Sequence, residues 1–141
     1  MTDEPRLLLD THVWYWLVVG NRQQISAATV ETLESHARRH PLLVSIISVW
    51  EIALLETKSR LGLAVPAQQW VEQTLDRPGF SLVGLSVPIA VESCHLPGQF
   101  HADPGDRFLV ATARAERATL VTRDAKIIAY GKAGHVRVLQ A

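Results

Sequence analysis

The stretch Arg6-Leu7-Leu8-Leu9-Asp10-Thr11 sets the reading of this chain: a short apolar run stopped by a carboxylate. Uninterrupted apolar runs of this length, without alternation, suit strands covered on both faces. The same pattern recurs downstream. Pro41–Ile47 holds the run Leu42–Val44, Leu82–Leu85 is a third candidate strand flanked by Gly79 and Gly84, Thr119–Thr122 is a fourth, and Val136–Leu139 is a short last one. Strands this short, separated by helical segments, predict a parallel sheet with helices on both faces.

Between these runs the helix signals are local. Ser26 is placed as an N-cap, with Ile25 and Val30 as a hydrophobic staple and Val30, Leu33 and Ala37 on one face. Ser48-Val49-Trp50-Glu51 reads as a capping box, with Ile47 and Ile52 as its staple, opening a helix that runs to about Arg60 and ends at Gly62. Pro66 opens a helix at its first position, through about Leu75, and Pro88 marks another that stops before Pro97 and Gly98. Asp103-Pro104 reads as N-cap and first residue of an Ala-rich helix. The resulting order is β-α-α-β-α-α-β-α-α-β-α-β, an α/β sandwich of three layers around a short, mostly parallel sheet.

Composition bounds the function. A chain of 141 residues, 48% apolar, fits one domain, residues 1–141, with a real core. No apolar tract is long enough to span a membrane. The opening MTDEPR lacks the basic and apolar regions of a signal peptide, and Cys94 alone forms no internal disulfide, so a cytoplasmic location is expected. Fourteen basic and fourteen acidic residues cancel, which argues against a general nucleic-acid coat protein but allows a local basic rim.

The chemistry lies in the acids. Asp10 ends the first strand, Glu51 lies in the first turn of the helix after the second, Asp106 in the first turn of the Ala-rich helix, and Asp124 follows the fourth strand. In open α/β sheets ligands bind beyond the carboxyl ends of the strands. Two like charges ~4 Å apart repel by ~4 kcal/mol at an effective dielectric of ~20. A hard divalent cation with oxygen ligands, Mg²⁺ or Mn²⁺, offsets this and supports phosphodiester hydrolysis. Each acid also has a structural reading: Glu51 in a capping box, Asp106 against a helix dipole, Asp124 and Asp10 as N-caps. Arg107 and Arg123, beside site acids, either bind phosphate or pair with a carboxylate. Asp103 reads as an N-cap and His101 as a loop residue near the site. Trp14, Tyr15 and Trp16 are adjacent, so a helix covers them unequally, leaving either ordinary core or a partner surface.

Four sequence words carry a resemblance. Leu7-Leu8-Leu9-Asp10-Thr11-His12-Val13-Trp14, Ser48-Val49-Trp50-Glu51-Ile52-Ala53, His101-Ala102-Asp103-Pro104-Gly105-Asp106-Arg107 and Leu120-Val121-Thr122-Arg123-Asp124 resemble the ordered acidic motifs of PIN domains, with the VapC toxins as the subgroup most resembled. The resemblance implies an endoribonuclease dependent on Mg²⁺, with Mn²⁺ as a substitute, that hydrolyses tRNA, rRNA or mRNA through a water activated at the metal, leaving a 3′-hydroxyl and a 5′-phosphate. It carries metal and catalytic roles onto Asp10, Glu51, Asp106 and Asp124. Thr11 and Thr122, beside them, would orient waters or carboxylates. It further implies a homodimer neutralised by a VapB-like antitoxin, with operator DNA contacted only through that antitoxin. Two positions depart from the pattern. Leu55 stands where many relatives carry Lys, leaving Lys58 as a candidate basic group on the same helix face, and Gly105 stands where an apolar residue is common. A catalytically inactive module that binds RNA or a partner is the alternative. A phosphoryl-accepting receiver is disfavoured because strand one offers Asp10 alone rather than an acidic pair.

Overall fold

The computed structural model describes residues 4–141; residues 1–3, the start of the acidic opening, lie outside the described residues. Five strands, β1 (Leu7–Leu9), β2 (Leu42–Ser45), β3 (Phe80–Val83), β4 (Thr119–Thr122) and β5 (Val138–Gln140), pair in the order β3-β2-β1-β4-β5, every pair parallel. Seven helices connect them: α1 (Thr11–Val19), α2 (Ala27–Ala37), α3 (Ile46–Thr57), α4 (Ala67–Leu75), α5 (Val87–Ser93), α6 (Pro104–Glu116) and α7 (Ala125–Lys132). The element order is the one expected from the sequence, and so is the three-layer α/β/α architecture.

Successive strand residues point to opposite faces and build two cores. Leu7, Leu9, Leu42, Val44 and Val121 pack with Val13 and Trp14 of α1, Val30 and Leu33 of α2, Ile52 of α3 and Trp70 and Val71 of α4. Leu8, Leu43 and Leu120 pack on the other side with Ile89 of α5, Leu109 and Ala113 of α6 and Ile127 and Tyr130 of α7. The small side chains of α6 let it lie close to the sheet, as its alanines suggested. The aromatic triplet is mostly core: Trp14 is fully buried against Trp70, and the Tyr15 hydroxyl donates to the Gly62 carbonyl.

Several boundaries differ from expectation. α3 begins at Ile46 with Ser45 as its N-cap, whose hydroxyl accepts from the Ile47 amide, so Ser48 caps nothing and Glu51 sits in the second turn, not the first. The proposed Ile47–Ile52 staple goes with that capping box. The helix ends at Thr57, because Ser59 adopts a left-handed φ of 55°, and Gly62 plays no part in stopping it. Pro66 is extended and precedes α4 rather than forming its first turn. β3 starts two residues before Leu82, drawn in by its register of Phe80 on Leu42, and β5 starts at Val138 instead of Val136.

The chain moves from β1 outward to β3, then returns to the far side of β1 to form β4. The crevice between β1 and β4 is therefore the point where crossovers diverge, the place where open parallel sheets bind ligands. The register sets Leu9 beside Val121, so Asp10 and Thr122 emerge together at the carboxyl edge.

Candidate metal centre

Asp10 leaves β1 and caps α1: the Thr11 amide donates to its Oδ1 at 2.7 Å and the Thr122 hydroxyl to its Oδ2 at 2.6 Å. Its backbone amide donates to the Val121 carbonyl, which fixes the turn against β4. Asp124 caps α7 and accepts the amides of Lys126 and Ile127. Its own amide donates to the Thr122 hydroxyl oxygen at 2.9 Å. One threonine thus joins the Asp10 carboxylate to the backbone of Asp124.

Glu51 approaches from α3. The Thr11 hydroxyl lies 2.7 Å from Glu51 Oε1 and 2.8 Å from Ser48 Oγ. A carboxylate only accepts, so the single Thr11 proton serves Glu51 and the Ser48 hydroxyl donates to Thr11. Ser48, fully buried, is a supporting residue hidden from the sequence by its resemblance to a cap three residues before Glu51.

Asp106 enters from the first turn of α6, where Asp103 is the N-cap and accepts the Asp106 amide at 3.0 Å. His101 Nε2 stands 2.9 Å from Asp106 Oδ2. Its direction is too poor for a hydrogen bond, and Nε2 is otherwise buried without a partner. Gly105 lets α6 close on α3: a Cβ there would stand 2.9 Å from Glu51 Oε2 and 3.4 Å from Asp103 Oδ2.

These acids share one field. Burial, followed by repulsion from Asp10, Asp124, Asp103 and Glu51, pushes the Asp106 carboxyl up to about 7. Burial raises Asp10 and Glu51 as well, opposed by the threonine hydrogen bonds; Asp10 and Asp103 add repulsion on Glu51. Among the described residues no Lys or Arg stands within 4 Å of the four carboxylates; His101 does, beside Asp106, and His12 acts on Asp10 from farther off.

No three His, Cys, Asp or Glu side chains among the described residues form a closed ligand group. Each carboxylate is turned onto hydrogen-bond donors or His101 instead. The donor set itself, hard oxygens with uncompensated charge, fits a hard divalent cation.

The candidate rim residues have other occupations. The Arg107 guanidinium donates to the carbonyls of Ser93, Phe100 and His101, clamping the loop before α6. Arg123 donates to the Gln24 carbonyl and side-chain oxygen and lies 5.7 Å over the Trp16 ring. Lys58 follows the last residue of α3, exposed, and seven residues along a helix put it ~10 Å from Glu51 along the axis.

The PIN domain profile matches residues 7–133. Ribonuclease VapC22 of Mycobacterium tuberculosis (strain ATCC 25618 / H37Rv) is 36% identical over 121 residues, 86% of this chain and 88% of the relative. Among solved structures, VapBC2 from Rickettsia felis bound to a promoter DNA fragment superposes with a TM-score of 0.69 at 17% identity, over 95% of this chain and 97% of that one. FitAcB from Neisseria gonorrhoeae gives 0.64 at 22% identity, over 94% and 96%. The structural likenesses bear on the fold; the profile and the 36% relative, each spanning most of the chain, show that it belongs to the PIN-domain family.

Proposed function

We propose that this chain is a metal-dependent endoribonuclease, the toxin of a VapBC-type pair. The observation that carries the reading is the mutual repulsion that links Asp10, Glu51, Asp106 and Asp124 beyond the carboxyl ends of β1 and β4, with no Lys or Arg within 4 Å of them among the described residues. The likeness to ribonuclease VapC22 supports the same reaction class.

Asp10 and Asp106 would hold Mg²⁺ or Mn²⁺ most directly, with Glu51 and Asp124 completing the set partly through water. When bound, such a cation supplies Lewis acidity toward a phosphodiester oxygen and lowers the pKa of water. The residues of the chain do the rest. Thr122 and Thr11 hold the Asp10 and Glu51 carboxylates in place by donating to one oxygen of each, leaving further lone pairs free. Thr122 also ties the start of α7 to Asp10, so both walls of the crevice move together.

The solved neighbours include toxin–antitoxin complexes, which supports a VapB-like antitoxin as partner; a homodimer, and contact with operator DNA only through that antitoxin, complete the proposal. Among the described residues no helix is long and apolar enough to cross a membrane. A cytoplasmic RNA is the substrate class proposed. The test is cleavage of a labelled RNA pool by antitoxin-free protein with Mg²⁺, with Mn²⁺ and with EDTA, beside Asp10→Ala. Metal-dependent cutting that disappears in Asp10→Ala supports the reading. Cutting that persists in EDTA or in the variant contradicts it.

A further inference from the structure

α7 starts at the acid cluster and runs back toward the amino edge of the sheet, ~12 Å for its eight residues. Along it lie two cavities. The first, about 350 Å³, begins at His101, whose Nε2 touches Asp106, and is lined by Phe100, Tyr130 and His135, with Lys126 and Ala129 on the α7 face. Its rings form a continuous series: Phe100 stands 4.5 Å from His101 and 4.7 Å from Tyr130, and Tyr130 stands 4.7 Å from His135. The volume is at the low end of small-molecule pockets, suited to one flat heterocycle.

His135 also lines the second cavity, a cleft of about 870 Å³ between α6, α7 and β5. Arg117, Lys132 and Arg137 line it, all exposed, and no carboxylate among the described residues stands within 4 Å of them. The acid there, Glu92, is spent on Arg114 at 2.6 Å. In a chain of zero net charge, three cations without a carboxylate partner in one cleft form a local positive field, Arg137 donating there to the Arg117 carbonyl at 3.2 Å. A ring-lined pocket joined to a basic groove is how single-stranded nucleic acid is held without sequence reading.

The geometry points to a track for single-stranded RNA along α7: a base beside the cut seats in the pocket of Phe100, His101 and Tyr130, and the phosphates beyond it lie in the cleft of Arg117, Lys132 and Arg137. This rests on the ribonuclease reading and adds to it the route of the substrate. Lys126, exposed where the pocket approaches the start of α7, serves the phosphate between the cut and the seated base. The route also explains how an acid-lined crevice retains a polyanion: the attraction comes from cations displaced to the far end of the same helix.

The test is a fluorescence-anisotropy titration of a labelled single-stranded RNA oligonucleotide of mixed sequence onto the full chain in EDTA, at several salt concentrations. Lys132→Gln with Arg137→Gln is expected to flatten the dependence of log affinity on log salt by ~1.4, at ~0.7 per phosphate contact. Phe100→Leu keeps an apolar side chain in the wall. It is expected to weaken binding by ~5- to 100-fold with the salt slope unchanged, a stacking loss. Because Phe100 also packs on Tyr130, exposed Lys126→Gln serves as a second variant, with a slope change of ~0.7. A 2-aminopurine placed along the oligonucleotide is expected to be quenched at one position in the wild type and not in Phe100→Leu. Wild-type binding with the variants indistinguishable from it overturns the track and leaves the ribonuclease reading standing. Wild-type protein that neither binds nor cuts RNA overturns both. Variants that lose antitoxin affinity while binding RNA normally overturn the track by making the cleft a protein contact.

Discussion

The Thr122 hydroxyl donates to Asp10 Oδ2 at 2.6 Å across 112 positions of sequence, and its oxygen accepts the Asp124 amide at 2.9 Å. The link exists because β1 and β4 are parallel neighbours with Leu9 opposite Val121. A single hydroxyl therefore ties the Asp10 carboxylate to the backbone that carries Asp124.

Thr122→Val tests that role at constant shape. It leaves one oxygen of a buried carboxylate and one backbone amide without partners, at a cost of ~1–3 kcal/mol. Activity is expected to fall by ~10- to 100-fold, as for other groups that orient ligands. Urea denaturation and single-turnover cleavage measure the two effects; an unchanged cleavage rate would show that Asp10 needs no orientation from β4.

Asp106→Asn should make the metal-free protein more stable at neutral pH. The folded carboxyl titrates at about 7 against an ordinary 3.8, so the folded state holds a proton that the unfolded state releases. Stability from this group falls as pH rises from near 4 to near 7 and stays reduced above, on the order of a few kcal/mol. The advantage of Asp106→Asn in EDTA should therefore grow between pH 5 and pH 8, read by denaturant midpoints. A variant less stable than wild type at pH 8 would mean that the acid is structural.

Gly105→Ala isolates the contact between α6 and α3. In a helix the change ordinarily favours Ala by ~0.5–1 kcal/mol. Here the new methyl meets Glu51 Oε2 at 2.9 Å, and the carboxylate at the end of a flexible side chain has to move. The expected outcome is a melting temperature within a few degrees of wild type with cleavage reduced by at least ~10-fold. Retained activity would remove Glu51 from the working set.

Arg107→Lys separates a loop clamp from a phosphate contact. Lysine lacks the fork that reaches three carbonyls at once. Thermal stability is expected to drop by ~1–3 kcal/mol, with the salt dependence of RNA binding unchanged. Unchanged stability with a flatter salt slope would restore Arg107 to the substrate surface.

The strands that carry the site were legible because β1, β2 and β4 are buried on both faces and read as unbroken apolar runs. β3 lies at the edge, half exposed, and its Phe80-Ser81 start has no such signature; only pairing with β2 defines it. The start of α3 reads three residues late from the sequence, at Ser48, because Ser48-Val49-Trp50-Glu51 matches a capping box while the cap is Ser45. Burial decided it, since Ser48 is needed inward against Thr11. The acids were readable from their places after strands and at helix starts. The occupation of Arg107 was not, because its three carbonyl partners come from the end of α5 and the loop before α6, which sequence does not bring together.

The most direct test of the central claim is calorimetric titration of Mn²⁺ into the antitoxin-free protein, beside Asp10→Ala and Asp106→Asn. Saturable binding is expected in the wild type, lost or weakened by ~10-fold or more in each variant. No binding by the wild type, or binding unchanged in both variants, would contradict a metal centre at the β1–β4 crevice.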